Sequence, residues 1–186
     1  MSAGQLLSRL VSALDRAGVP HMVAGSFAST FHGVPRTTQD IDVVIDPSRP
    51  ALDAFLAELP ESEYYVDVDT ARDALRQHTQ FNVIDLATGW KVDFILRKQR
   101  PFSEEEFSRR APAELAGARV FVATAEDTVL AKLEWSVLSG GSERQLRDVQ
   151  GILQVRGAAL DRRYIERWAQ ALGFGELWRE VSDAAP

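Results

Sequence analysis

The chain has 186 residues, of which 45% are hydrophobic and 26% are charged, and it contains no cysteine. This composition excludes disordered and fibrous chains, disulfide scaffolds and cysteine-based zinc sites. The formal net charge is −6, so any contact with nucleic acid must be local. Apolar runs fall short of the roughly 18 to 20 residues that span a membrane, and the N-terminus is typical of an amphipathic helix. We therefore expect a cytoplasmic protein with no membrane partner.

Hydrophobic periodicity predicts a mixture of helices and strands up to about residue 123 and only helices after it. The predicted helices occupy 2–17, 27–31, 50–59, 70–77 and 103–110, and the predicted strands occupy 21–24, 40–45, 64–68, 81–86, 90–96 and 118–123. Three further helices begin after Thr124, Ser142 and Asp161, and a short one contains residues 177–181. The predicted fold class is α+β, a mixed β-sheet flanked by helices, with 1–123 as the core and 124–186 as a helical C-terminal extension.

Several local signals refine these elements. Ser2 with Gln5, and Ser103 with Glu106, have the spacing of capping boxes. Thr70 is placed as the N-cap of its helix. The helical spacing of Trp135, Trp168 and Trp178 with leucines predicts that these tryptophans pack in the core of the extension.

Asp40 and Asp42 begin a β-branched strand, where alternate residues point to the same face, about 6 to 7 Å apart at Cα. Two carboxylates so close repel each other, and a divalent cation with a preference for hard oxygen ligands, Mg²⁺ or Mn²⁺, would compensate them. Two solvated acids at a strand edge are the simpler alternative.

Asp93 lies inside the apolar run Val92–Leu96, where an uncompensated carboxylate is costly to bury. It could join Asp40 and Asp42 in a three-carboxylate metal site. It could equally pair with Lys91, which shares its face of the strand. The residues alone leave both interpretations open.

Gly25 and Ser26 lie between a strand and a short helix. Backbone N–H groups at a helix N-terminus bind phosphate, and a serine adds a hydroxyl donor. The alternative is that Ser26 is only an N-cap.

These segments together resemble the signature of the nucleotidyltransferase superfamily: Val23–Ser26 before a short helix, Asp40–Asp42 on the next strand, and Asp93 on a later one. The run Arg36–Asp42 resembles the AbiEii/AbiGii toxin-like branch. In the tail, Lys132-Leu133-Glu134 and Arg147-Asp148-Val149 agree with that branch.

The resemblance implies a metal-dependent transfer of a nucleoside monophosphate from a nucleoside triphosphate to an RNA hydroxyl, for example of a tRNA, or to a protein hydroxyl, in a toxin–antitoxin or phage-defence setting with a cognate antitoxin. It implies that Asp40, Asp42 and Asp93 are the catalytic residues and the ligands of Mg²⁺ or Mn²⁺, with Asp93 either completing a second metal position or acting as the base that takes the acceptor's proton. It also implies nucleotide-binding roles, assigned to Gly25, Ser26, Thr38 and Lys132.

Alternatives remain for the tail residues and for the function. Lys132 could be a solvated lysine, and Asp148 is expected to pair with a basic neighbour at a helix surface. A catalytically silent binding module is the main competing function. A metal-dependent nuclease is disfavoured because Lys91 precedes Asp93 instead of following it.

Overall fold

The computed structural model describes residues 2–38 and 40–184. Contacts between residues group the chain into two units. One comprises the chain up to Ala24 together with Thr38–Val122, and the other comprises Gly25–Thr37 together with the chain from Ala123 onward. The domain division at residues 123 and 124 stays a prediction, and this grouping attaches residues 25–37 to the C-terminal helices.

The helices, in chain order, are α1 Ala3–Arg16, α2 Gly25–His32, α3 Arg49–Ala57, α4 Val68–Gln77, α5 Pro101–Ser108, α6 Ala125–Leu138, α7 Glu143–Arg156, α8 Arg162–Ala171 and α9 Gly175–Asp183. The strands are β1 His21–Val23, β2 Asp40–Ile45, β3 Tyr64–Val66, β4 Gln80–Asp85, β5 Lys91–Leu96, β6 Ala111–Leu115 and β7 Ala118–Val122. The part of the chain that the structure describes contains no helix long and apolar enough to cross a membrane.

The first unit is built on one mixed sheet of seven strands, in the order β3-β4-β5-β2-β1-β7-β6. The pairs β2–β5 and β1–β7 are parallel, and the other neighbours are antiparallel. Helices α1, α3, α4 and α5 belong to this unit. The predicted fold class, a mixed sheet flanked by helices with a helical extension, is confirmed.

Burial alternates along β2 and separates an apolar face of the sheet from a polar one. Ile41, Val43 and Ile45 are at most 1% exposed, whereas Asp40 and Asp42 are half-buried. Phenylalanine rings from α3 and β4 pack against the ring of Phe94 in β5, at centroid distances of 5.1 and 5.3 Å. Because a slip of one residue would bury the acids in this core, the apolar face fixes which way the acids point.

One strand was missed, and two predictions about helix caps are wrong. Strand β6 was not predicted, because its short sequence contains a proline, which is tolerated at the sheet edge that β6 occupies. Helix α5 begins at Pro101 instead of at a Ser103 capping box, and Ser103 Oγ accepts a hydrogen bond from Arg100 Nε at 3.0 Å. The cap of α4 is Asp67, whose Oδ1 accepts from the Thr70 backbone N–H at 2.8 Å.

The second unit contains α2 and the helices from α6 onward. A close approach between the end of α2 and α7 occurs at two glycines. A Cβ on Gly33 would lie 2.7 Å from the backbone nitrogen of Ile152 and 2.8 Å from the carbonyl carbon of Gly151. The prediction that Trp135 packs in a core is wrong, since it is 52% exposed near the end of α6.

This close approach predicts that Gly33→Ala is destabilising. The new methyl group meets backbone atoms, which cannot rotate away, so we expect a loss of about 1 to 3 kcal/mol in the free energy of unfolding. The matched control is Gly157→Ala, in the same unit, where the only atom near the added Cβ is Arg162 Nη2 at 4.0 Å. Urea denaturation of both variants checks this, and equal stabilities would contradict the close approach.

Candidate functional site

The three acids predicted as catalytic lie on one face of the parallel pair β2–β5. The strands are in register, with Asp40 beside Lys91 and Asp42 beside Asp93. Asn82 of β4 lies beside Asp93 on its other side. Side chains at paired positions point to the same face of a sheet, so the structure brings Asp40, Asp42 and Asp93 to one polar surface.

An ion pair occupies one end of this carboxylate face. Lys91 Nζ donates to Asp93 Oδ2 at 2.7 Å, so the pairing that the sequence left open is present. Asp93 is only 7% exposed, and its Oδ1 is buried with no hydrogen-bond partner among the described residues. The hydrogen bond to Asp93 raises the pKa of Lys91 against the effect of burial, and the charges of Asp93, Asp40 and Asp42 add to the rise.

Two hydrogen bonds fix the start of β2. Thr38 Oγ1 donates to Asp40 Oδ1 at 3.1 Å, and the Ala24 backbone N–H donates to the Asp42 carbonyl at 2.9 Å. Thr38 therefore orients a carboxylate in this structure. Its predicted contact with a nucleotide stays a prediction.

The donor set of this face suits a hard divalent cation, with one restriction. Carboxylate oxygens are the ligands that Mg²⁺ and Mn²⁺ prefer, and the buried, unpartnered Asp93 Oδ1 is the kind of atom that a bound ligand satisfies. Within residues 2–38 and 40–184, however, no three acidic or histidine side chains are grouped closely enough to hold one ion together. A cation fits Asp40 and Asp42 without requiring Asp93 as a third ligand.

In the second unit, a buried carboxylate contacts both a loop arginine and the lysine that was predicted to bind nucleotide. Asp148, on α7, is 8% exposed. Its Oδ1 accepts from Arg36 Nε at 2.7 Å, and its Oδ2 accepts from Arg36 Nη2 at 3.0 Å and from Lys132 Nζ at 2.8 Å. The expectation that Asp148 pairs with a basic residue is correct, but its placement at a helix surface is wrong.

Lys132 is not the solvated lysine of the alternative interpretation. It is 4% exposed on α6, where its ammonium group contacts Asp148. Arg36, by contrast, keeps 28% of its side chain exposed. Since two cations surround one carboxylate, this group of side chains carries a net positive charge.

Ser26 belongs to the same group of side chains. Its Oγ accepts from Arg36 Nη2 at 2.5 Å. Because α2 begins at Gly25, Ser26 lies inside the helix and is not its N-cap. Gly25 has φ +56°, a left-handed conformation that favours glycine. The role of Arg36 was missed, because only the fold shows that this loop arginine reaches both Ser26 and Asp148.

The electrostatics of Asp148 reflect two opposing effects. Burial alone would raise the pKa of the carboxyl group, but the hydrogen bonds from Arg36 and Lys132, with their charges, hold this pKa below its ordinary value. The negative charge of Asp148 therefore compensates the charges of Arg36 and Lys132.

Three solved structures are similar to this chain in fold. The chain is similar to ANT(2″)-Ia in complex with adenylyl-2″-tobramycin, with 14% identity over 93% of this chain and 98% of that one and a TM-score of 0.61. It is similar to an antigenic nucleotidyltransferase-like protein from Paracoccidioides brasiliensis, with 16% identity over 98% and 92% of the two chains and a TM-score of 0.59. It is also similar to the lincomycin-bound lincosamide antibiotic adenylyltransferase LnuA, with 8% identity over 83% and 98% and a TM-score of 0.55.

No protein-family model matches the sequence, and no curated protein matches it either. The structural similarities show that this chain has a nucleotidyltransferase fold. The AbiEii/AbiGii toxin-like branch stays a prediction.

The position of Asp148 predicts a pH-dependent loss of stability. Asp148→Asn leaves two cations facing a neutral amide, so unfolding at pH 7 should require about 3 to 5 kcal/mol less free energy than in the wild type. Because the pKa of Asp148 is lower in the folded state, its stabilisation is complete above the ordinary value of about 4 and is lost as the pH falls through the folded pKa.

Chemical denaturation between pH 2 and pH 7 checks this prediction. We expect the difference between the wild type and Asp148→Asn to be constant at neutral pH and to shrink in acid. Glu143→Gln, an exposed acid on the same helix, is the control and should show no such difference. A constant difference down to pH 2 would contradict the assigned role.

Proposed function

We propose that this protein is a metal-dependent nucleotidyltransferase that moves a nucleoside monophosphate from a nucleoside triphosphate to an acceptor hydroxyl. The observation that carries the proposal is the in-register placement of Asp40, Asp42 and Asp93 on one face of β2 and β5. The nucleotidyltransferase fold supports it. A fold alone accommodates several functions, so the argument depends on these side chains.

The three carboxylates divide two tasks in this proposal. Asp40, oriented by Thr38, and Asp42 hold Mg²⁺ or Mn²⁺. A cation held there would supply positive charge against the charge that develops on the attacked phosphate and on the leaving pyrophosphate. Asp93 accepts the proton of the acceptor hydroxyl on its unpartnered Oδ1.

The reaction exchanges one bond to phosphorus for another. The acceptor oxygen forms a bond to the α-phosphorus, and the bond from that phosphorus to the bridging oxygen of the β-phosphate breaks. Pyrophosphate leaves with that electron pair, while the acceptor proton passes to Asp93. No redox partner is needed.

Gly25, Ser26 and Lys132 are our candidates for binding the triphosphate. They belong to a group of side chains with a net positive charge, and the partly exposed Arg36 fixes the Ser26 hydroxyl. Backbone N–H groups at the start of α2 add the partial positive charge of a helix N-terminus. Lys132 would act here while it remains paired with Asp148.

We further propose an RNA or protein hydroxyl as the acceptor, in a toxin–antitoxin or phage-defence setting with a cognate antitoxin. The support is the similarity of Arg36–Asp42 and of the tail motifs to the AbiEii/AbiGii branch. LnuA is an antibiotic adenylyltransferase with lincomycin bound, so a small-molecule acceptor is another outcome that the labelling experiment below will recognise.

A catalytically silent binding module is the second candidate function. The observation that favours it is the ion pair of Lys91 with Asp93, which already compensates one of the three acids. A silent module would bind its partner without transferring a nucleotide. Substituting Asp42 would then leave the amount of labelled product unchanged.

Transfer is tested by incubating the protein with each α-³²P-labelled nucleoside triphosphate, Mg²⁺, and either total RNA or a cell extract. The wild type should label one class of acceptor. Asp42→Asn should reduce the rate by orders of magnitude, because it removes a metal ligand that stabilises the transition state. Asp69→Asn, with a side chain 95% exposed, is the matched control and should retain the wild-type rate. Equal labelling by both variants would exclude the proposed site.

Ligand binding is tested separately by thermal denaturation. Mg²⁺ and a triphosphate together should raise the melting temperature more than either alone, because they bind the folded state. Asp42→Asn should abolish this joint shift while leaving the ligand-free protein as stable or more so, since repulsion between the acids is relieved.

Ser26→Ala should retain part of the same shift. It removes one hydrogen-bonding hydroxyl and costs about 1 kcal/mol of triphosphate affinity, while the backbone N–H groups of α2 remain. A full joint shift in Asp42→Asn would mean that the triphosphate binds elsewhere, and an unchanged affinity in Ser26→Ala would remove its assigned role.

A further inference from the structure

We infer that Lys91 is a built-in counter-ion that limits the carboxylate face to a single divalent cation, held by Asp40 and Asp42. Asp93 is thereby kept out of a second metal site and reserved for the acceptor proton. This inference rests on the proposed function and deepens it, because it states how many divalent cations the carboxylate face holds before a nucleotide binds and that the Lys91 charge takes the place of a second one.

The contact between Lys91 and Asp93 differs from an ordinary surface ion pair. The Asp93 side chain is only 10% exposed, and Lys91 Nζ lies 2.7 Å from its Oδ2. Exposed pairs contribute little because water screens them, whereas removing one partner of a shielded pair leaves an uncompensated charge. The Lys91 side chain is itself 41% exposed, so its ammonium group compensates the buried Asp93 carboxylate while it remains accessible to water.

A second cation would have to displace this ammonium group to use Asp93 Oδ2, and at the unpartnered Oδ1 it would share one carboxylate with the ammonium charge. Displacement breaks a charge-assisted hydrogen bond, which is about twice as strong as a neutral one. The register also places Lys91 directly beside Asp40, so a cation at Asp93 would approach a site with a positive charge already in place.

The net charge of the carboxylate face also indicates a single divalent cation. Three carboxylates carry three negative charges, and Lys91 cancels one of them. One divalent cation neutralises the remaining two, whereas a second would leave an excess of positive charge in the absence of nucleotide. In agreement, the three acids are not grouped as joint ligands of one ion.

The test is a titration with Mn²⁺ in the absence of nucleotide, with free Mn²⁺ measured by electron paramagnetic resonance. The wild type should bind one ion per chain, and Asp40→Asn should lose it. Lys91→Met should bind a second ion or bind Mn²⁺ at least tenfold more tightly. Lys91→Arg keeps the charge and should behave as the wild type. Lys98→Met, which removes an exposed lysine from the same unit, is the control for net charge.

Thermal denaturation of the same proteins gives a second readout. Without metal, Lys91→Met should melt below the wild type, because Asp93 loses its partner, and Mn²⁺ should raise its melting temperature by more than it raises that of the wild type. These results also show whether Lys91→Met folds.

The inference is overturned if Lys91→Met binds Mn²⁺ as the wild type and Lys98→Met do, or if the wild-type chain binds two ions. Neither depends on turnover, so the inference can fail while nucleotide transfer is still detected. If no protein binds Mn²⁺, the inference is wrong, and the proposed function fails with it only if no α-labelled product forms either.

Discussion

The parallel pairing of β2 with β5 is the constraint on which the carboxylate face depends. Its register places Asp42 beside Asp93 and Asp40 beside Lys91, and it aligns Val43 with Phe94 on the opposite face. The same pairing therefore builds the aromatic core and the polar surface. Apolar burial on one side fixes the direction of the acids on the other, because a strand has only two faces.

The second unit is organised around a different interaction, a buried carboxylate that faces two cations. Replacing such a group by apolar side chains is often neutral or stabilising, so stability alone does not explain why Asp148 is charged. Its geometry does: one carboxylate holds Arg36 by two hydrogen bonds and Lys132 by a third, and Arg36 in turn fixes Ser26. The charges thus fix the positions of the residues that we assign to phosphate.

Local patterns predicted the polar face well, because strand periodicity is a property of neighbouring residues. The alternation of β2 and the acid within β5 predicted one common surface on the condition that the two strands lie side by side, and the structure shows that they are paired. The sequence also anticipated both possible partners of Asp93, and only the structure shows that Lys91 is in contact with it.

Contacts between distant segments were beyond sequence reasoning. Arg36 and Asp148 are 112 residues apart, and no local pattern indicates their hydrogen bonds. The wrong prediction for Trp135 also arises from contacts between distant segments, since helical spacing identifies an apolar stripe but not the element that covers it. Strand β6 was missed because it is short and weakly apolar, and its pairing with β7 decides its conformation.

The central claim is that Asp40 and Asp42 hold the divalent cation of a bound nucleoside triphosphate. The most direct measurement is a crystal structure with Mn²⁺ and a non-hydrolysable triphosphate, in which anomalous scattering locates the metal. The account predicts one manganese ion bonded to carboxylate oxygens of both residues, at about 2.1 Å, and to phosphate oxygens. A triphosphate whose manganese ion is bonded to neither Asp40 nor Asp42 would contradict it.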